Sequence, residues 1–188
     1  MALTNKEIEL VYLGASIAAG CKPCTSYHFR KVKEAEASDD EIQNAISDSA
    51  NIRDIAKTEM ETYAMVLLGI STQSEVKIDN QNPDRLTVLV SIGAAFAVDC
   101  TSTLNTYIDL AESVGITNED INNIFRASKL VKMKAASHVD KIAERFEHAQ
   151  SNEGDKKESN GYGCSGAKKN NVQTESNKSE VKIENGCC

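Results

Sequence analysis

The sequence contains no Trp and only two Pro among 188 residues, and aromatic side chains make up 5% of it. Ala, Glu, Ile and Lys are plentiful instead, a mixture that favours helix over sheet. An excess of positive charge is also missing. The formal net charge is -7, and no cluster of Lys and Arg stands out, which argues against a nucleic-acid surface because phosphate recognition needs a concentrated positive field. Long apolar runs are absent too: the stretch from Leu10 to Gly20 is far too short to cross a membrane as a helix. The opening Met1-Ala2-Leu3-Thr4-Asn5-Lys6-Glu7 lacks the basic start of a secretory signal. A cytoplasmic protein is expected, with its six Cys in a reducing compartment. There a Cys-x-x-Cys is more often catalytic or metal-binding than structural.

At 40% hydrophobic and 26% charged residues, the chain can bury one good core or two small ones of related build. Internal similarity favours the second arrangement. A shift of seventy-nine positions (100 minus 21) lays Leu10-Val11 on Leu89-Val90, Gly14-Ala15 on Gly93-Ala94, Ala18 on Ala97 and Cys21 on Cys100, and continues without a gap to Ile42 and Asn44 on Ile121 and Asn123. Ser38-Asp39-Asp40-Glu41 then meets Thr117-Asn118-Glu119-Asp120, each a Ser or Thr with an acid three residues on, the helix-capping pattern. The organisation expected is therefore all-α, two tandem copies of one helical module.

Apolar residues recur at helical spacing within the copies. Leu10, Leu13, Gly14 and Ile17 form one stripe, Ile52, Ile55, Ala56, Met60, Tyr63 and Leu67 a second, and Ala135, Val139, Ile142 and Phe146 its counterpart. The Ala and Gly of the short first helix would let its neighbours approach closely. Residues 1–70 form the first copy, 71–83 a linker in which Val76 and Ile78 could pair briefly as a strand, and 84–149 the second copy, opened by Pro83. Residues 150–188, rich in Ser, Asn, Gly, Lys and Glu, cannot bury enough apolar surface to offset the entropy of ordering and read as a disordered tail.

Chemistry concentrates in Cys21-Lys22-Pro23-Cys24-Thr25-Ser26-Tyr27-His28. Gly20 breaks the preceding helix and Pro23 is tolerated in a first turn, so both Cys sit at a helix start, where the dipole favours thiolate. At i and i+3 they share a face and can close a disulfide. His28 lies one turn beyond Cys24 on that face and can take or return a proton as a thiolate forms or leaves. Glu9, twelve residues before Cys21, could fold back from the preceding helix to polarise the pair. Spacing alone leaves open which Cys attacks.

Glu9, the eleven-residue gap, Cys21-x-x-Cys24 and x-x-x-His28 resemble the signature of the alkylhydroperoxidase D and carboxymuconolactone decarboxylase-like superfamily, and the run Leu13-Gly14-Ala15-Ser16-Ile17-Ala18-Ala19-Gly20-Cys21 is similar to its first core helix. The resemblance spans roughly residues 5 to 148. It implies a helical fold assembling as a homo-oligomer, trimer or hexamer, and a thiol-dependent peroxidase or disulfide reductase with no cofactor. On that resemblance Cys24 attacks a peroxide, Cys21 resolves, and His28 with Glu9 relays protons through water. The substrate would be a peroxide or disulfide, and a thiol donor such as a thioredoxin-like or lipoyl-type protein would return electrons. The second copy departs from the pattern, with Thr103 for the second Cys, Tyr107 for the His and Val88 for the Glu. It is expected to be a structural half, leaving one active centre per chain.

Blander readings stand beside these. Cys21 and Cys24 could be small buried hydrophobes, or with His28 zinc ligands, although no fourth ligand follows at a suitable spacing. Cys100 is expected to be a packed core thiol, Tyr27 and Tyr107 packing residues, His138 and His148 surface residues, and Asp39, Asp40 and Glu41 capping charges. Three Cys, Cys164, Cys187 and Cys188, fall in the tail. They could reduce the Cys21–Cys24 disulfide as an internal shuttle or capture a soft metal or metalloid such as arsenite or copper(I). They could also carry a lipid, although the chain end is not the usual four-residue box. A decarboxylase-like member without redox activity is a further alternative.

Overall fold

A computed structural model describes residues 2–70 and 83–151. Among these the fold is all-helical: α1 (Asn5–Ala18), α2 (Lys22–Glu34), α3 (Asp39–Leu67), α4 (Arg85–Ala97), α5 (Thr101–Ala111), a single 3-10 turn at Glu112–Val114, and α6 (Asn118–Ser151). The expected linker strand at Val76 and Ile78, and the tail with Cys164, Cys187 and Cys188, lie outside the described residues. So does the side chain of His148.

Most helix starts are written into local chemistry. Thr4 and Glu7 cap α1 reciprocally, as do Ser38 and Glu41 for α3, so two orphan N–H groups are satisfied at each end. Thr117 and Asp120 exchange the same pair of bonds ahead of α6, and the Asp84 carboxylate accepts from the Thr87 N–H at α4. Helix ends are made by left-handed residues: Gly20 at φ +69° after α1, Glu36 at +57° after α2, Asp99 at +59° after α4 and Gly115 at +72° before α6.

Helices α1 and α4 form the centre, packed on each other and flanked by the remaining helices. The single stripe expected for α1 understates its burial. Besides Leu10, Leu13 and Gly14, the residues Val11, Ala15, Ser16 and Ala18 are buried, because small side chains let helices close in on several sides. The two central helices cross at glycine. A Cβ on Gly14 would come within 2.7 Å of Val90 Cγ1, and one on Gly93 within 2.8 Å of Val11 Cγ1. The contact is reciprocal, each glycine receiving a valine of the other helix.

The long outer helices differ from expectation at their far ends. Ile52 and Ile55 are buried, but Met60, Tyr63 and Leu67, which share their stripe, are exposed. On α6, Val139, Ile142 and Phe146 are likewise 65%, 48% and 68% exposed. These helices are 29 and 34 residues long, whereas the 14- and 13-residue central helices offer something to pack on over only about half that length.

Candidate active site

The site is built where α1 turns into α2. Gly20 reverses the chain with a left-handed φ, and its missing Cβ leaves room for the Arg53 guanidinium, which a Cβ would meet at 2.6 Å. The Cys21 N–H then bonds back to Ser16, and Cys21 becomes the N-cap of α2, its sulfur accepting the Cys24 N–H at 3.2 Å. Pro23 occupies the first turn, where its missing donor costs nothing. Both sulfurs are thereby held against the positive end of α2, and they lie at disulfide distance, 2.10 Å apart. Both residues are buried, Cys21 6% and Cys24 8% exposed.

One turn further along α2, His28 is buried and turned toward α1. Its Nδ1 pairs with Glu9 Oε2 at 3.2 Å. An ionised carboxylate only accepts, so this contact places a proton on Nδ1 and leaves Nε2 as the acceptor of the neutral ring. The ring is fixed on both sides. Tyr12, one turn after Glu9 on α1, stacks on it with centroids 4.7 Å apart and planes 2° from parallel, and Tyr27 meets it edge-on at 5.0 Å. Glu9 thus reaches the histidine, the group through which it could polarise the thiols. Tyr27 acts in packing, as expected, and Tyr12 is a site residue that spacing did not flag.

Cys24 and His28 open onto one narrow cleft of about 370 Å³ including its mouth, closed on the far side by Leu130, Val131, Lys134 and His138 of α6. A wider groove on the other side of the turn is lined by Cys21, Lys22, Ile142 and Arg145, and His138 borders that one as well. The expectation that His138 is merely a surface residue is corrected here. It is half-buried, and a ring nitrogen lies within 4.8 Å of both sulfurs. Sequence spacing gives no sign of this, because α6 reaches α2 only through tertiary packing. The one clue is that His138 falls three residues after Ala135 and four before Ile142, on the apolar side of the helix.

The corresponding place in the second half holds different chemistry. Cys100 is buried and stands as the N-cap of α5, and its sulfur lies 3.2 Å from Glu59 Oε2, to which the thiol can donate, and 3.1 Å from Thr103 Oγ1. Glu59 also accepts from the Ser102 hydroxyl. Val88 and Tyr107 are fully enclosed. Burial pushes the Tyr107 hydroxyl above its ordinary range, against the lowering effect of a hydrogen bond with Ser91. Among the described residues the Cys100 thiol has no partner sulfur, and Tyr107 stands where the first half has His28. Cys100 and Tyr107 are packed core residues, as expected.

The residues therefore define a class: a helical protein presenting a Cys-x-x-Cys pair at a helix start, backed by a partly buried His–Glu pair. Residues 2–60 match the model of the carboxymuconolactone decarboxylase family, and Glu9, Cys21, Cys24 and His28 all fall inside the matched stretch. Comparison with curated proteins and with solved structures gives no match.

Proposed function

We propose that the protein is a thiol-dependent peroxidase or disulfide reductase that cycles Cys21 and Cys24 between dithiol and disulfide. One observation carries this reading: Cys24 and His28 open onto the same cleft, while Glu9 holds the Nδ1 edge of that imidazole. In the reduced protein, His28 Nε2 takes the Cys24 proton, through water where the distance requires it, and the helix start stabilises the thiolate. The thiolate attacks the terminal oxygen of a hydroperoxide, the O–O bond breaks, and the alcohol leaves with a proton returned by the imidazolium. Cys24 is then a sulfenic acid. The Cys21 thiol condenses with it, forming the disulfide and releasing water. A dithiol donor, thioredoxin-like or lipoyl-type, restores the pair by exchange, entering by the groove beside Cys21.

The chain reads as two copies of one module, of which only the first keeps the chemistry. The reciprocal Gly14–Val90 and Gly93–Val11 contacts support this, since Gly93 and Val90 stand seventy-nine positions after Gly14 and Val11 (93 minus 14, 90 minus 11). We place the protein in the cytoplasm, where a thiol donor is at hand; among the described residues no helix is long and apolar enough to cross a membrane. The exposed stripe of Val139, Ile142 and Phe146 supports assembly into a homo-oligomer through α6. Hydroperoxide consumption by the reduced protein, beside Cys24→Ser, tests the activity. Turnover lost in the variant supports it, and equal rates in both proteins reject it.

A further inference from the structure

We infer that the reduced protein binds one thiophilic d10 metal ion, of the zinc class, on Cys21, Cys24 and His138. The site shares both Cys with the peroxidase reading but does not rest on that activity, and it uses a His that the reading leaves idle. The three donor atoms, two Sγ and one imidazole nitrogen, already lie within 4.8 Å of one another, with both Cys buried and the His half-buried. Zinc bonds of about 2.3 Å to sulfur and about 2.0 Å to nitrogen in a tetrahedral site place such donors roughly 3.5–3.8 Å apart. The histidine nitrogen therefore needs to move by no more than roughly 1.3 Å, and the two sulfurs separate once the disulfide is reduced.

The donor set matches the ion. Two thiolates and a neutral imidazole cancel a dication, so a site behind buried walls carries no net charge. A Cys-x-x-Cys at a turn is a ready chelate, because the helix start lowers the cost of ionising both thiols. His28 is not the nitrogen donor: the ring nitrogen that lies within 4.8 Å of both sulfurs is that of His138. Among the described residues the cluster comprises these three side chains, which leaves a fourth position for water or a small ligand, as in open rather than structural zinc sites. The second half lacks the set. Facing Cys100 it offers the Glu59 carboxylate, and it replaces the second thiol with Thr103.

Binding is a simple exchange. Two thiol protons leave as the ion enters, no electrons move, and the disulfide form cannot bind. The test uses full-length protein with Cys164, Cys187 and Cys188 changed to Ser, reduced with a phosphine and freed of reductant. Cobalt(II) gives a sulfur-to-metal charge-transfer band, and zinc displaces it against a chromogenic chelator. The expected result is one ion per chain with two protons released, none in the disulfide form, and affinity at least about tenfold weaker in His138→Ala. Cadmium-113 resonance of the histidine-containing protein reads the donor set directly, so the result does not depend on that variant folding. A two-sulfur, one-nitrogen signature supports the site. Unchanged affinity in His138→Ala, an absence of nitrogen from the donor set, or binding that disappears with the tail Cys overturns it. Peroxide turnover measured without metal stands or falls separately.

Discussion

His28 Nδ1 and Glu9 Oε2, nineteen residues apart in the chain, meet at 3.2 Å across the α1–α2 hairpin. On the proposed reading the pair supplies the Cys-x-x-Cys with a proton acceptor. The carboxylate holds the Nδ1 edge of the ring and Tyr12 fixes its plane, and His28 lines the same cleft as Cys24.

Removing either partner should slow chemistry more than it harms folding. His28→Asn is expected to lower the rate of peroxide-driven dithiol oxidation by about 10²–10⁴-fold, and Glu9→Gln by a smaller factor, since it leaves the ring in place. The double variant should be little worse than His28→Asn alone, because the two act as a unit. Stopped-flow oxidation of the reduced proteins checks this, and additive losses would show that Glu9 works by another route.

Gly14→Ala measures how tightly the central helices cross. Helix propensity alone favours Ala by about 1 kcal/mol. The added Cβ, however, would sit 2.7 Å from both Ser49 Oγ and Val90 Cγ1. Ser49 is bonded to the Ala45 carbonyl and Val90 is fully buried, so neither can give way freely. Overpacking of this kind costs about 1–3 kcal/mol. The expected outcome is a lower Tm by thermal unfolding, where a rise would mean that the crossing has slack.

Much of this was legible in the sequence, and the dividing line is physical. Caps, the α2 start and the Glu9–His28 pairing rest on contacts within one helix or one hairpin, so spacing encodes them: Ser38 with Glu41, Cys21 with Cys24. His138 and Glu59 reach their cysteines from helices far along the chain, and no local period marks such residues. The stripe through Met60, Tyr63 and Leu67 shows the opposite error. Periodicity says which face of a helix is apolar, not whether a neighbour extends far enough to cover it.

Arg85 ties the two halves at one end. It donates to Glu7 Oε1 at 2.8 Å and to the Gly115 carbonyl at 2.7 Å, with Asp120 at 3.8 Å. Burial opposes ionisation of Glu7, but bonds from the Thr4 N–H, Arg85 and the Thr4 hydroxyl outweigh it and hold the carboxyl below its ordinary 4.5. Asp120 behaves alike: burial is outweighed by the Thr117 N–H and hydroxyl and by the Arg85 charge, keeping it below 3.8. A depressed carboxyl stabilises the fold above its unfolded value and loses that contribution as pH falls through its folded value. Wild type should therefore exceed Arg85→Gln in stability by about 1 kcal/mol near pH 7, with the gap closing below pH 4.5. Denaturant titrations at several pH values check it; a gap that widens in acid contradicts the assignment.

The α6 stripe gives a prediction on assembly. Phe146→Glu, at a position 68% exposed, should leave helicity unchanged and shift sedimentation toward a smaller species. An unchanged mass would place any assembly surface elsewhere.

The central claim is that Cys21 and Cys24 form a peroxide-driven redox pair. Its most direct test is a count of free thiols after one equivalent of hydroperoxide, on reduced wild type and on Cys24→Ser. The account predicts two thiols lost in wild type, recovered by a dithiol, and no core thiol lost in the variant. Thiols that stay reduced in both proteins would contradict it.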